Sequence, residues 1–508
     1  MMEGETTEKI LVREVNWIGD AVMTLPAVRA IRKQWPGAKI SILVKPAIAP
    51  LFENNPDVDE VLLYEERFSG MIGKLRLSSM LRSMRYAKAI LLQNAFDAAL
   101  ITFLARIPER IGYARDSRQL LLTKPVHYNS QDRKIHHIQY YLDLLRASGI
   151  NAECSHPWLR LSLKERLAAR ATLSCLKQPI LGINPGATYG SSKRWIPKRF
   201  AEIAGWFIGE TRGSVVIFGG KNEMTLAEEI FTNVPMNKLL LAGKTSLREL
   251  IALISECDVF VTNDSGPMHI AYAVGTPLAA IFGSTSAELT GPVGEGHSVI
   301  KADLDCAPCF KRSCDKDYIK CMFGVTSEEV YRSIRNLLPT KKAVFFDRDG
   351  TLCNDANYLN RWEDFVPLPG VERLKLLKEE GFELIGVSNQ SGIAKGIIRE
   401  DFVKEVNRLY IDMYGFTDFY YCPHAPIENC TCRKPEPGML IKARSAYGID
   451  LKKSFVVGDK DADMLLAKAV GAKGILVRTG QQDGSDYADA IVDDLDAAIK
   501  YIRKWSDR

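Results

Sequence analysis

Residues Phe345-Phe346-Asp347-Arg348-Asp349-Gly350-Thr351 carry the reading that organises the whole chain. An apolar strand runs straight into two carboxylates one residue apart, then a glycine and a threonine. A strand ending in D-x-D-G-T aims its first acid at a phosphorus atom, and the second acid can reach the leaving oxygen. The group moved by such a pair is phosphoryl. The motif opens a new βαβ block about two-thirds of the way along 508 residues, so the part before it needs its own explanation.

Three more segments downstream fall at the ends of predicted strands, where open parallel sheets place ligands. Val387-Ser388-Asn389-Gln390-Ser391-Gly392 follows one strand, Cys432-Arg433-Lys434-Pro435 supplies adjacent cations, and Val457-Gly458-Asp459-Lys460 follows a later strand. Phosphoryl transfer needs this kit: a nucleophile, an acid/base, a hydroxyl and a lysine on the phosphoryl oxygens, and a carboxylate for magnesium. Asp347 and Asp459 are expected to share one hard cation. Between them, Cys422, His424, Cys430 and Cys432 set three thiols and an imidazole within eleven residues, a ligand set suited to a structural zinc.

The four segments in this order resemble the haloacid dehalogenase (HAD) superfamily, and with C-P-H…C-x-C-R-K-P-x-P-G-M they resemble its heptose bisphosphate phosphatases over 342–480. The span from Thr351 to Ser388 is too short for a sizeable cap domain. The resemblance implies Asp347 as nucleophile and Asp349 as general acid/base, with Asp347, Asp349 (through its backbone carbonyl) and Asp459 as magnesium ligands. It also implies that Ser388 and Lys434 steady the phosphoryl group and that Arg433 reads the substrate, heptose 1,7-bisphosphate. Asp355, Tyr358, Asn389, Gln390, Ser391 and Lys460 match further substrate contacts. A histidinol-phosphate-like substrate, or a non-catalytic docking role, is the alternative that this pattern leaves open.

Upstream, two more βαβ blocks appear, with strands predicted at 9–15 and 39–44, then at 179–185, 214–219, 259–262 and 277–282. Asn16-Trp17-Ile18-Gly19-Asp20 is a tight turn that opens a helix; taken alone, Asp20 reads as a helix-dipole partner. Asn263-Asp264-Ser265-Gly266-Pro267-Met268-His269 joins a buried strand to a helix and offers backbone N–H groups to a phosphate. Pro185-Gly186-Ala187-Thr188 and Lys193-Arg194-Trp195 add a hydroxyl and two cations.

Together these resemble the heptosyltransferase family over roughly 10–338. That implies Asp20 as general base toward a lipopolysaccharide inner-core acceptor. Thr188, Lys193, Asp264, Ser265, Gly266, Met268 and His269 are then expected to bind ADP-heptose, with no metal required. For His269, packing is as good a reading as ligand binding. The expected fold is α/β: two Rossmann-like domains in a GT-B arrangement, 1–165 and 166–338, then a capless HAD-like domain, 341–508.

Composition agrees with an enzyme of this class. Hydrophobic residues make up 46% and charged residues 25%, and a net charge of +5 over this length does not suggest a nucleic-acid binder. The polar start, residues 1–9, is no signal peptide, and the expected location is the cytoplasm, with the 11 cysteines as thiols or metal ligands. Cys306, Cys309, Cys314 and Cys321 have a spacing that fits no standard zinc template and leaves metal binding open. From Arg67 to Lys88, six basic residues and no acid alternate with leucines and methionines; the usual reading is a solvated helix face, but the heptosyltransferase resemblance, whose acceptor is a membrane glycolipid, implies instead a face for anionic lipid at the inner membrane or for a phosphorylated lipid acceptor.

Overall fold

The computed structural model describes residues 7–128, 134–153, 155–315 and 319–506; residues 1–6 of the polar start lie outside the described residues. The chain divides into two compact units, Met1–Leu337 and Leu338–Arg508.

The first unit holds two six-stranded sheets. The strands of the first are β1 (Lys9–Arg13), β2 (Lys39–Val44), β3 (Glu60–Leu63), β4 (Lys88–Leu91), β5 (Glu109–Tyr113) and β6 (Lys124–Val126). Those of the second are β7 (Ile180–Asn184), β8 (Ser214–Ile217), β9 (Lys238–Leu240), β10 (Val259–Asn263), β11 (Leu278–Phe282) and β12 (His297–Lys301). The second unit adds β13 (Lys342–Phe346), β14 (Phe382–Asn389), β15 (Asp418–Cys422), β16 (Phe455–Gly458), β17 (Lys473–Val477) and β18 (Ala490–Val492). All pairings within the three sheets are parallel.

The strand orders are β3-β2-β1-β4-β5-β6, β12-β11-β10-β7-β8-β9 and β15-β14-β13-β16-β17-β18. Counted within its own sheet, each reads 3-2-1-4-5-6. The order therefore reverses between β1 and β4, between β7 and β10, and between β13 and β16, and the crevice for a ligand opens beyond the carboxyl ends of those pairs. The phosphoryl-transfer and donor motifs singled out in the sequence sit at carboxyl ends of strands or in the loops beside them, whereas the basic run 67–88 mostly forms helix Gly70–Met84. The central strands are apolar because both their faces are covered. Phe345 and Phe346 point to opposite faces and enter different buried clusters, each contributing about 1.5–3 kcal/mol of burial.

The two sheets of the first unit share one core, which runs from Ile10 and Val12 through the helix Ile18–Gln34 to Met268, Ile270 and Phe282. Helix Ile18–Gln34 packs against helix Gly266–Ala273, one from each half. Glycine permits that meeting, since a Cβ on Gly19 would lie 2.6 Å from the His269 ring and one on Gly266 would lie 3.1 Å from Ile18. A second seam joins helix Leu163–Leu173 to helix Leu247–Ser255. Both start with capping boxes, Ser162 with Glu165 and Ser246 with Glu249, and Arg248 donates across to Glu165 at 2.7 Å.

In the second unit, β13 and β14 are joined by short turns and the five-residue helix Lys375–Glu379, so no cap domain stands between them. The strands predicted in the first unit are all present: β2 has the predicted ends, β10 runs one residue further, and the others are one or two residues shorter. The strands that sequence did not single out are mostly the outer ones, short and half exposed. Pro125 in β6 shows why: it has no N–H for the ladder and is tolerated only at an edge.

Candidate active sites

Asp347 ends β13 and is almost wholly buried. Its Oδ1 accepts from the backbone N–H of Arg348 at 2.7 Å and lies 2.8 Å from Lys434 Nζ. Lys434 also reaches Asp463 at 2.6 Å and donates to the Val387 carbonyl at 3.0 Å. Burial works against its charge, but Asp347 and Asp463 outweigh burial and hold the ammonium above its ordinary pKa. Asn389 fixes the same lysine from behind: it accepts from the Lys434 N–H at 3.0 Å and donates to the Lys434 carbonyl at 3.3 Å.

Asp347, Asp459 and Asp463 bring carboxylate oxygens within 4.8 Å of one another. Burial, then the Asp347 charge, pushes Asp459 up to about 6; burial, with Asp347 again adding to it, pushes Asp463 up to about 7. Three carboxylates face one lysine, and Asp459 Oδ1 and Asp463 Oδ2 are buried without a hydrogen-bond partner. An oxygen-rich pocket with excess negative charge and orphaned lone pairs fits a hard divalent cation. Sequence reading had assigned Asp347 and Asp459 there and had missed Asp463. The signal was present: Asp463 lies four residues after Asp459, in the first turn of helix Asp461–Val470.

Asp349 has a different environment. It accepts from Arg348 Nε at 3.0 Å, Arg348 Nη2 at 3.1 Å and Gln390 Nε2 at 2.7 Å. Burial alone would raise its pKa, but the Arg348 fork wins and holds it below the ordinary carboxylate range. A carboxylate held this way carries no proton at neutral pH, so donating one to a leaving oxygen requires it to turn out of the fork. Gln390 also donates to Ser388 Oγ at 2.6 Å, tying the hydroxyl to the acid/base. At the mouth, Asp355 accepts from Gln481 at 2.7 Å and lies 3.6 Å from Lys460, which is 3.7 Å from Asp459. Tyr358 is partly exposed and accepts from Lys395 at 2.6 Å. Arg433 and Ser391 border the same opening, and both adjoin Tyr358 electrostatically.

The donor atoms of Cys422, His424, Cys430 and Cys432 also converge within 4.8 Å. Cys422 and Cys430 sulfurs are 3.4 Å apart, Cys430 and Cys432 3.5 Å, and His424 Nδ1 is 3.2 Å from Cys432. Sulfurs bound tetrahedrally to zinc at about 2.3 Å lie about 3.8 Å apart, so the set fits that ion. The loop then runs directly into Arg433 and Lys434. Cys306, Cys309, Cys314 and Cys321 behave otherwise, and no three of these thiols come within 4.8 Å of one another. Their loop lies over the turn after β7: Tyr189 donates to the Phe310 carbonyl at 2.8 Å, and Ser192 N–H to the Arg312 carbonyl at 3.2 Å.

In the first unit, the residues after β7 and β10 meet. Lys193 pairs with Asp264 at 2.5 Å, and Thr285 donates to the same carboxylate at 2.6 Å. Thr188 is exposed on the same loop, and Lys193 also lies 4.7 Å from the Tyr189 ring. Ser265 Oγ sits 3.1 Å from Thr262 and 3.4 Å from Asn184, at the start of the helix that Gly266 opens. Met268 is fully buried, so its backbone is what it can offer a ligand. Thr285 and Glu223, whose carboxyl lies where a Gly186 Cβ would stand, are site residues that sequence reading missed.

Asp20 is about one-third exposed in the first turn of its helix, with His137 Nδ1 3.8 Å away. His269 is buried; its Nδ1 meets the Tyr272 hydroxyl at 3.0 Å and its ring rests on Gly19. Burial pushes it down to about 4, against the pull of Asp264 and Asp20, so it is neutral at physiological pH. Asp264 and Asp20 act on it electrostatically from the two halves of the first unit. Glu14, also missed, is fully buried at the end of β1, and burial pushes it up to about 7.

Residues 74–320 match glycosyltransferase family 9 (heptosyltransferase), and residues 431–498 match a HAD-hydrolase-like family. The chain is 30% identical to lipopolysaccharide heptosyltransferase 2 of Salmonella typhimurium, over 65% of this chain and 98% of that protein. It is 39% identical to D-glycero-beta-D-manno-heptose-1,7-bisphosphate 7-phosphatase of Haemophilus ducreyi, over 32% of this chain and 98% of that protein. The solved E. coli ADP-heptose heptosyltransferase II superposes with a TM-score of 0.57 at 29% identity, covering 65% of this chain and 98% of that one.

Proposed function

We propose two activities for this chain, which belongs to the glycosyltransferase family 9 heptosyltransferases through its first unit and to the HAD-like heptose bisphosphate phosphatases through its second. The first unit transfers heptose from ADP-heptose to the lipopolysaccharide inner core. The second removes the 7-phosphate of D-glycero-D-manno-heptose 1,7-bisphosphate. The observation that supports this reading is that each unit gathers the side chains its chemistry calls for: Asp347, Asp349, Lys434 and Asp459 in one, and the Lys193–Asp264 pair in the other, with Asp264 and Asp20 both acting electrostatically on His269.

In the phosphatase, Asp347 attacks phosphorus and forms an aspartyl phosphate as the P–O bond to the sugar breaks. Asp349, turned out of the Arg348 fork and protonated from solvent, gives its proton to the leaving sugar oxygen. It then takes one from the water that hydrolyses the aspartyl phosphate, which releases phosphate and frees Asp347. Lys434 and Ser388 hold the phosphoryl oxygens. Magnesium, held by Asp347, Asp459, Asp463 and the Asp349 carbonyl, would offset the repulsion between carboxylates and phosphate. Zinc on Cys422, His424, Cys430 and Cys432 would fold the loop that carries Arg433 and Lys434.

In the transferase, Asp20 takes the proton from the acceptor hydroxyl. Thr188, Lys193 and the N–H groups at Ser265–Gly266 receive the diphosphate; Asp264 sets the lysine, and His269 holds the two helices in register. The proposed domains are 1–165, 166–338 and 341–508.

We further place the protein in the cytoplasm, touching the inner membrane peripherally. Among the described residues no helix is long and apolar enough to cross a membrane. Helix Gly70–Met84 exposes Met71 (62%), Ile72 (69%) and Leu75 beside Lys74 and Arg76, an apolar and cationic face suited to anionic lipid. The experiment that tests the two activities is a parallel assay of purified protein: phosphate release from both anomers of heptose 1,7-bisphosphate, and transfer of labelled heptose from ADP-heptose to heptose-deficient core lipid. Absence of either product removes that half of the proposal.

A further inference from the structure

The amino edge of the first sheet carries a cavity that neither proposed activity uses. Its volume is about 550 Å³, and it is lined by Arg82 from helix Gly70–Met84, by Phe103 and Leu104 from helix Phe96–Leu104, by Arg106, and by Arg110 of β5. Asp20 follows the carboxyl end of β1, at the opposite edge of the same parallel sheet.

Three arginines line this cavity, and no carboxylate pairs with any of them among the described residues. The acids nearest in sequence are taken: Glu109 by Lys88 at 2.9 Å and Lys124 at 2.7 Å, and Asp97 by Lys74 at 3.8 Å. Burial lowers the pKa of Arg110, and no acid offsets it. The protein's own groups fix this side chain. Its Nε donates to the Leu121 carbonyl at 2.7 Å, its Nη1 donates to the Ile107 carbonyl, and its guanidinium lies 5.4 Å from the Phe103 ring centroid. Nη2 is left for a ligand. Arg106 stands at φ +55°, in the left-handed position after a helix that glycine or asparagine usually fills. Helix C-termini attract cations, which explains Arg82 and Arg106 singly. It does not explain why both line one cavity with a third arginine that has no acid.

The surroundings of the cavity are apolar. Ile72, Leu75 and Arg82 recur at i, i+3 and i+10 and share one face of their helix, on which all three are exposed. That helix packs on helix Phe96–Leu104, which exposes Phe103, and the latter packs on the turn Gln119–Leu121, where Leu120 is 86% exposed. A soluble phosphate would leave these side chains in water, whereas a lipid would cover them. We propose that the cavity takes the phosphate monoester headgroup of a membrane lipid. A monoester carries about −1.5 to −2 charges at neutral pH and three acceptor oxygens, which suits three arginine forks better than a diester does. The inference rests on the peripheral membrane contact proposed above and adds the headgroup that this contact selects.

The test is flotation of the full-length protein with phosphatidylcholine vesicles containing phosphatidic acid, a monoester, or phosphatidylglycerol, a diester, at matched surface charge. Unaltered protein is expected to bind the monoester vesicles roughly tenfold more tightly. Arg82→Gln combined with Arg106→Asn, which suits the left-handed turn, should bring the two vesicle types level. Arg82→Gln alone, at an exposed helix position, should lose part of the preference. Lys74→Gln with Arg76→Gln removes the same charge outside the cavity, so it should weaken both types alike and leave the preference intact. Equal binding by unaltered protein, or a preference that survives the loss of Arg82 and Arg106, overturns the inference and leaves the membrane contact standing. Binding to neither anionic vesicle overturns the membrane contact and the inference together. Inorganic phosphate that occupies the site in solution, with no preference between vesicles, assigns the cavity to a soluble anion and overturns the lipid source.

Discussion

The transferase and phosphatase sites are built on the same strand order, yet they balance charge in opposite ways. At the donor site the central charges are matched: Lys193 meets Asp264, and Thr285 satisfies the same carboxylate. In the phosphatase, Asp347, Asp459 and Asp463 share one lysine, and two of their oxygens have no partner. The fold is common, so the difference lies in a few side chains at the carboxyl ends of the central strands. One set is proposed to take a diphosphate through protein groups; the other holds a surplus of carboxylate oxygens of the kind that fits a divalent cation. The topology supplies the crevice, and the local surplus or balance of charge decides what it takes up.

The sharpest way to break this comparison is Asp347→Asn. The amide cannot attack phosphorus, so phosphate release should fall below detection while heptosyl transfer stays at its original rate. Chelation of magnesium should give the same split. Parallel loss of both activities in folded protein would mean that the two chemistries are not separable.

Asp20→Asn is the converse experiment. It keeps the shape of the side chain and removes its basicity, so transfer should slow by about 10²–10⁴-fold with phosphatase turnover intact. ADP-heptose affinity should hardly change if Lys193 and the Ser265–Gly266 turn hold the donor as proposed. A variant that turns over normally returns Asp20 to a helix-dipole role. One that only binds donor poorly assigns it to positioning.

A smaller effect is expected from Cys430→Ser. Bound zinc, measured by metal analysis, should fall by about one ion per chain. Phosphatase turnover should drop by roughly tenfold, as supporting groups around a site typically cost when lost, through misplacement of Arg433 and Lys434. Unchanged metal content would mean that the ligands are elsewhere.

The smallest effect concerns stability. Glu14 titrates at about 7 in the fold, above its ordinary value, so the native state holds a proton that the unfolded chain releases. Its contribution is full below the unfolded pKa and is lost as pH rises through 7, a swing of about 3 kcal/mol. Glu14→Gln should flatten that part of the denaturation profile of the first unit between pH 5 and 8. A slope equal to that of the unaltered protein would show that another group titrates there.

What the sequence made legible was chemistry tied to strand ends. Asp347, Asp459, Lys193, Asp264 and the zinc ligands all lie where a strand or a short spacing fixes them, and the structure brings each set together. Asp463 escaped because its neighbours Asp459 and Asp461 made it look like one more helix-start acid. Thr285 and Glu223 escaped because each reaches its site from a separate loop, through a contact that no local pattern encodes. The resting hold of Arg348 on Asp349 is likewise a tertiary fact, although the two residues are adjacent.

Helix Ser327–Leu337, the last element of the first unit, packs back onto helix Pro197–Thr211 and strands β10, β11 and β12, and only Leu338–Lys341 separate it from β13. During synthesis, this places the closing piece of one unit on the ribosome immediately before the founding strand of the next. The first unit can therefore complete its core while the phosphatase acids are still in the exit tunnel. Domains emerging in this order fold as successive units. A chain released after Leu337 should leave the ribosome already able to fold, so a nonsense mutation in the last third would leave the cell a glycosyltransferase without a phosphatase.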